Sequence, residues 1–407
     1  MTFKTNNKAA YTTDGIPYLW NSGDVITIPS NETKITASDG AAGDRFGQSV
    51  SVGSGRIVIG SELDADNGLD SGSAYIFDLG SNQLAKITAS DGATGDRFGS
   101  AVAVGSGRII VGAYSDNDAG LLSGSSYIFD LDGNQLAKIT ASDAASGDRF
   151  GFSVAVGNSR IVIGAYLDDD NGNNSGSAYV FDLGGNELAK ITASDGAADD
   201  YFGYSVSVGN GRIVIGAYQD DDNGGSSGSA YIFDLDGNEI TKIVASDAAA
   251  DDRFGFNVAV GSGRIVVGAY GDDDNGATSG SAYIFDLNGN EIGKITASDG
   301  AADDLFGYSV AVGSGRIVVG AYADDDNGST SGSAYIFDLD GNEIGKITAS
   351  DGNVNDYFGD SIAAGSGRIV VGAYGDDDNG DSSGSAYIYE TPQVYNLYDA
   401  IELRGKT

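Results

Sequence analysis

The chain is predicted to be all-β: a seven-bladed β-propeller with four-stranded antiparallel blades, the last blade closed by the N-terminal strand. Three observations predict this. A unit of 52 residues recurs seven times without insertion. Each unit holds four short β-type segments separated by turn residues. The fourth-segment motif occurs once before the first unit and is missing after the last.

The period is read from Phe46, Phe98, Phe150, Phe202, Phe254, Phe306 and Phe358, each followed by glycine. Arg56, Arg108, Arg160, Arg212, Arg264, Arg316 and Arg368 keep the same spacing, as do Lys34, Lys86, Lys138, Lys190, Lys242, Lys294 and Lys346. Equal copies without insertion imply geometrically equivalent units. In the second copy the segments are 98–104, 108–112, 126–131 and 135–141, rich in β-branched and aromatic residues. Gly105-Ser106-Gly107 joins the first pair, and Asp132-Gly133-Asn134 joins the last. Such residues accept the positive φ of tight hairpins. The second and third segments are apolar on both faces, as sheets stacked between neighbours require. The fourth carries lysine and threonine, which suits an outer edge.

Four-stranded units of roughly 40–50 residues, repeated radially, build propeller blades. The string Lys34-Ile-Thr-Ala-Ser-Asp39 precedes the first Phe-Gly, and nothing like it follows 385–389. The N-terminal strand therefore completes the last blade and leaves no sheet edge. A parallel β-solenoid is the competing architecture, and it would need an atypical cap at each end. The chain divides into an N-terminal arm (1–30), the propeller (31–390) and a C-terminal tail (391–407).

Composition narrows the function classes. There are 59 acids against 22 bases, a formal charge of −37, with no histidine and no cysteine. Such a surface repels nucleic acid and anionic membranes and attracts cations. Without histidine or cysteine the commonest general base and the thiolate metal sites are absent. No apolar run approaches the roughly 18 residues of a membrane span, and the first residues lack the apolar core of a signal peptide.

The string 148–156, Asp-Arg-Phe-Gly-Phe-Ser-Val-Ala-Val, with Gly164-Ala165-Tyr166 and 177–181, resembles FG-GAP repeats, the repeats of the integrin α-subunit propeller head. The resemblance spans about residues 31–390 and implies a seven-bladed propeller with an interaction role. Integrin-type repeats carry a calcium loop between the first and second strands. Here that link is a short Gly-Ser-Gly turn without carboxylates, so those ligands do not carry over. The chain is more similar to the bacterial and viral variant, whose acidic stretch follows the second strand.

That stretch supplies the candidate metal ligands. They are Asp64 and Asp66, Asp116 and Asp118, Asp168 and Asp170, Asp220 and Asp222, Asp272 and Asp274, Asp324 and Asp326, and Asp376 and Asp378. Alternate aspartates followed by glycine resemble the start of a calcium loop, although the distant bidentate glutamate is missing. The plain alternative is a solvated turn. A second acidic loop enters each blade, with acids such as Asp195 and Asp200, and alternating strand direction puts it on the same face. Calcium across the two loops, or pairing with Arg45, Arg97, Arg149 and Arg253, would relieve the repulsion. The arginines beginning at Arg56 lie on the other face; they either bind anions as a ring or pair with aspartates such as Asp78 and Asp130. Tyr75, Tyr127 and Tyr179 are candidates for sugar stacking or for burial. At the ends, Tyr18, Leu19 and Trp20, and Tyr395, Leu397 and Tyr398, are candidates for docking onto a partner.

The expected function is non-enzymatic, because loops repeated nearly unchanged offer no unique catalytic constellation. A display or attachment protein of an exterior surface is expected, first as a phage virion component such as a decoration or fibre protein. The alternative is a bacterial surface or secreted adhesin that binds protein or carbohydrate, with calcium as the one candidate cofactor. Its partner would be a protein of a larger assembly, or a cell-surface protein or glycan, with no nucleic acid and no membrane insertion. Its place would be the virion, or the cell surface and extracellular space.

Overall fold

In the computed structural model, residues 9–11, 17–19 and 31–391 are described. Ala9–Tyr11 pairs antiparallel with Pro17–Leu19. All other strands fall into seven four-stranded antiparallel sheets. In blade 4, for example, these are Ser205–Gly209, Arg212–Ala217, Ser229–Phe233 and Glu239–Ile243, in spatial order. The first strands touch one another around a closed ring, the seventh meeting the first. A stacked coil is thereby excluded.

The ring closes as the sequence implies. Glu32–Ile35 is the fourth strand of blade 7, with Lys34 opposite Tyr387 and Ile35 opposite Ala386. Glu32 fastens the seam, accepting hydrogen bonds from Ser350 Oγ (2.6 Å) and Tyr389 Oη (2.9 Å). On the inner side, first strands are linked by side chains rather than a ladder. Ser205 Oγ, for instance, accepts from the Val258 amide of the next blade at 3.0 Å. At the junctions of blades 1 and 2, 4 and 5, and 5 and 6, edge amides facing the channel thus find acceptors.

The core lies between blades. Val58, Ala74 and Ile76 of blade 1 pack with Phe98, Val104, Ile109 and Phe129 of blade 2 in one cluster. Phe98 is fully buried and meets Tyr127 and Phe129 edge-on, with ring centroids 5.4 and 5.9 Å apart. Burying each such ring contributes about 2–3 kcal/mol. Two glycines let the blades approach. Gly99 has φ +92°, and a Cβ there would lie 2.2 Å from Ser73 O; a Cβ on Gly112, of Gly112-Ala113-Tyr114, would lie 2.0 Å from Gly151 O of the next Phe-Gly. The Phe-Gly and Gly-Ala-Tyr motifs are therefore the two sides of one seam.

The first strand begins later than the apolar pattern suggests, at Ala101 rather than Phe98. Phe98 bridges Gly72 of the preceding blade instead, and Gly99 turns the chain into the new one.

Candidate functional site

The two acidic loops of each blade meet on one face, as strand direction requires, and a lysine sits between them. In blade 4, Lys242 Nζ lies 2.9 Å from Asp195, 2.8 Å from Asp220 and 2.6 Å from Asp222. At the seam Lys34 completes blade 7, 2.8, 2.7 and 2.6 Å from Asp351, Asp376 and Asp378. Lys86, Lys138, Lys190, Lys294 and Lys346 repeat the arrangement. A buried tyrosine closes each cage: Tyr231 Oη bonds Asp195 at 2.8 Å and Asp220 at 3.0 Å. The first acids of the loops, Asp64, Asp116, Asp168, Asp220, Asp272, Asp324 and Asp376, are buried. Their partners Asp66, Asp118, Asp170, Asp222, Asp274, Asp326 and Asp378 are exposed.

These contacts set the charges. Burial alone would lower the Lys242 pKa, but hydrogen bonds to Asp220, Asp222 and Asp195 more than offset it and raise it above the ordinary value. Burial likewise pushes Asp195 up, and the bonds from Lys242 and Tyr231 outweigh it and hold its carboxyl below the usual range. Asp200, in the same entry loop, has no such cation. Burial raises it to about 6, against the opposing bond from the Ala197 amide.

The mouth of the central channel opens on this same face, where the first strands begin. Here sevenfold symmetry breaks. The residue after each Phe-Gly is Phe152, Tyr204, Phe256 and Tyr308 in blades 3–6, and Gln48, Ser100 and Asp360 in blades 1, 2 and 7. All of them line a cavity of about 300 Å³. The four aromatics form a continuous wall, with successive centroids 4.8, 5.0 and 4.7 Å apart. Behind them stand Tyr166, Tyr218, Tyr270 and Tyr322 of the Gly-Ala-Tyr motifs. In blade 1 that place belongs to Glu62, buried and 3.3 Å from Arg97 and 3.7 Å from Arg45.

Seven stretches, 29–77, 82–129, 134–181, 186–233, 238–285, 290–337 and 342–389, match the family model described as FG-GAP repeat. The chain belongs to the FG-GAP repeat family. No curated protein matches it significantly.

In this FG-GAP propeller the alternate aspartates do part of what each sequence expectation assigned. As turn residues, they cap their own loop: Asp220 Oδ1 accepts the Asp222 amide at 3.1 Å. As cation ligands, three groups have carboxylate oxygens within 4.8 Å of one another and could hold a metal ion: Asp143, Asp168 and Asp170; Asp247, Asp272 and Asp274; and Asp351, Asp376 and Asp378. Each of the three already encloses an ammonium. Calcium takes six to eight oxygens, so the cage as folded suits the lysine better than that ion.

Three pairings differ from the sequence expectations. Arg45, Arg97, Arg149 and Arg253 do not neutralise the loop aspartates. Their left-handed backbone (φ 57–62°) turns them toward the channel mouth, where they stack on Tyr374, Tyr114, Tyr114 and Tyr270. On the opposite face Arg56 neither forms an open anion ring nor ion-pairs with Asp78 or Asp130. Its Nε donates to Leu131 O of the next blade at 3.0 Å, and Asp132 lies 3.5 Å away. Asp130 instead accepts the Asp132 and Asn134 amides of its own hairpin. The fourth-strand lysine, taken as an edge residue, is the cage cation. Tyr75, Tyr127 and Tyr179 are fully buried, which removes them as stacking platforms. Tyr18 and Leu19 lie in the strand Pro17–Leu19. Trp20, Tyr395, Leu397 and Tyr398 lie outside the described residues.

Proposed function

We propose that this FG-GAP protein is a non-enzymatic binding and display module of an exterior surface, in the first instance a phage virion decoration or fibre protein. The observation that carries this reading is how charge and symmetry are distributed. Three carboxylates of every blade are engaged in seven lysine cages. At the channel mouth the blades differ from one another, since the residue after Phe-Gly changes there. A rigid closed ring with one individual opening suits presentation of a recognition surface. Mass spectrometry and immunogold labelling of purified virions test it: labelled particles support it, and a chain absent from particles refutes the virion reading.

A bacterial surface or secreted adhesin is the second reading, favoured by the aromatic channel mouth. It predicts binding of the purified protein to cells, with no particle association. Calcium enters either reading only as a competitor of lysine, since it must expel an ammonium to reach the three carboxylates. Titration calorimetry decides this. Saturable heat together with chelator-sensitive melting supports calcium, and the absence of both removes it.

A further inference from the structure

We propose that the channel mouth is a carbohydrate site that takes a terminal neutral sugar of a glycan, set between the aromatic wall of blades 3–6 and the polar sector of blades 7, 1 and 2. This deepens the binding-module reading and rests on it. The wall offers Phe152, Tyr204, Phe256 and Tyr308 as a contiguous apolar surface. Facing the same cavity are polar groups that the protein leaves unused. The Asp360 carboxyl makes no hydrogen bond among the described residues, and neither do the Tyr204 and Tyr308 hydroxyls. Gln48 lines the cavity as well. A carboxyl and phenol hydroxyls that open on a cavity without internal partners can pair with the hydroxyls of a ligand.

The ligand must therefore be apolar on one face and carry several hydroxyls on the others, as a pyranose is. Asp360 suits hydroxyl recognition. It is reached along the channel while protein surrounds it, and burial raises its carboxyl to about 7 against the pull of Arg45, so it both donates and accepts near neutrality. An organic cation fits less well. It would meet the ring faces and Asp360, but it would leave the tyrosine hydroxyls unpaired and face Arg45, Arg97 and Arg149 around the rim. A cavity of about 300 Å³ has room for a single sugar ring.

The test is saturation-transfer NMR and calorimetry on the full chain with glucose, galactose, mannose and N-acetylglucosamine, followed by a glycan array. At least one neutral sugar is expected to bind saturably. Tyr204→Ala should weaken it about tenfold by removing a stacking face, and Asp360→Ala by a similar factor. Arg56→Ala, on the opposite face, should leave it unchanged. Should Tyr204→Ala fail to fold, Tyr204→Phe and Tyr308→Phe, which remove only hydroxyls, are expected to weaken binding while melting as the parent does. No binding to any sugar or array glycan overturns the proposal, as does binding that these variants do not alter. Binding of spermidine abolished by Asp360→Ala, without sugar binding, would make it an organic-cation site instead. If particles or cells carry the protein equally well with Tyr204→Phe and no sugar binds, the sugar site falls while the display reading stands.

Discussion

Lys242 has three carboxylate partners, and its bond to Asp220 is the one most withdrawn from water, with side chains 19% and 4% exposed. Exposed ion pairs contribute at most about 1 kcal/mol, whereas removing one partner of a buried pair leaves an uncompensated charge. Lys242→Met should therefore destabilise the protein by about 1–3 kcal/mol, read from urea unfolding. It also opens the three carboxylates. If lysine and calcium compete, millimolar calcium should recover stability in Lys242→Met and not in the parent; equal response of the two would refute competition. The lysine's role was hard to see from the sequence. Its partners stand 47, 22 and 20 residues earlier, and only a folded blade brings them together. The channel mouth did leave a trace, since the residue after Phe-Gly varies while the Phe-Gly itself holds. Attention to what repeats hides that kind of signal.

Strands and turns were the most legible level, because segments rich in β-branched residues between glycine turns admit few alternatives. What the pattern did not show was where each first strand starts, since Phe98 is apolar yet belongs to the seam. Seam and hairpin glycines separate two effects of the left-handed backbone. Gly55 has φ +76° with nothing within 4 Å of where a Cβ would stand, while Gly99 has φ +92° with Ser73 O at 2.2 Å. Gly55→Ala should cost only the conformational penalty, about 1–2 kcal/mol. Gly99→Ala adds a steric clash that forces two blades apart, for about 2–5 kcal/mol in all. Thermal melts of the two variants check the order, and equal losses would show that the seam yields. At the closure, deleting residues 1–36 removes the fourth strand of blade 7 and the Lys34 ammonium, baring Ser385–Glu390 as an edge. Exposed edges pair with other chains, so light scattering should report dimers or aggregates where the full chain gives one species.

Across the whole molecule, two rings of acids on one face respond to pH in opposite directions, and their sum sets the stability optimum. Asp148, Asp200, Asp252, Asp304 and Asp356 titrate near 6 when folded because burial disfavours their charge. Between the ordinary carboxylate pKa, about 4, and about 6, the folded state holds more protons than the unfolded one, so stability falls as pH rises through this window. Asp39, Asp91, Asp143, Asp195, Asp247, Asp299 and Asp351 are held below the ordinary value by their lysines and tyrosines, against the effect of burial. Their contribution is intact above about 4 and is lost as pH falls through the depressed folded values. The formal charge of −37 adds self-repulsion that eases on mild acidification and on screening by salt. The melting temperature should therefore stay nearly level from pH 8 to about 7, rise as the pH falls from about 6 toward a maximum near pH 4, and fall below that, with the rise smaller in high salt. Replacing these five aspartates by asparagine should make the limb between pH 4 and 6 shallower and leave the acid limb in place. A melting temperature that climbs steadily from pH 4 to 6 would contradict this assignment of the two rings.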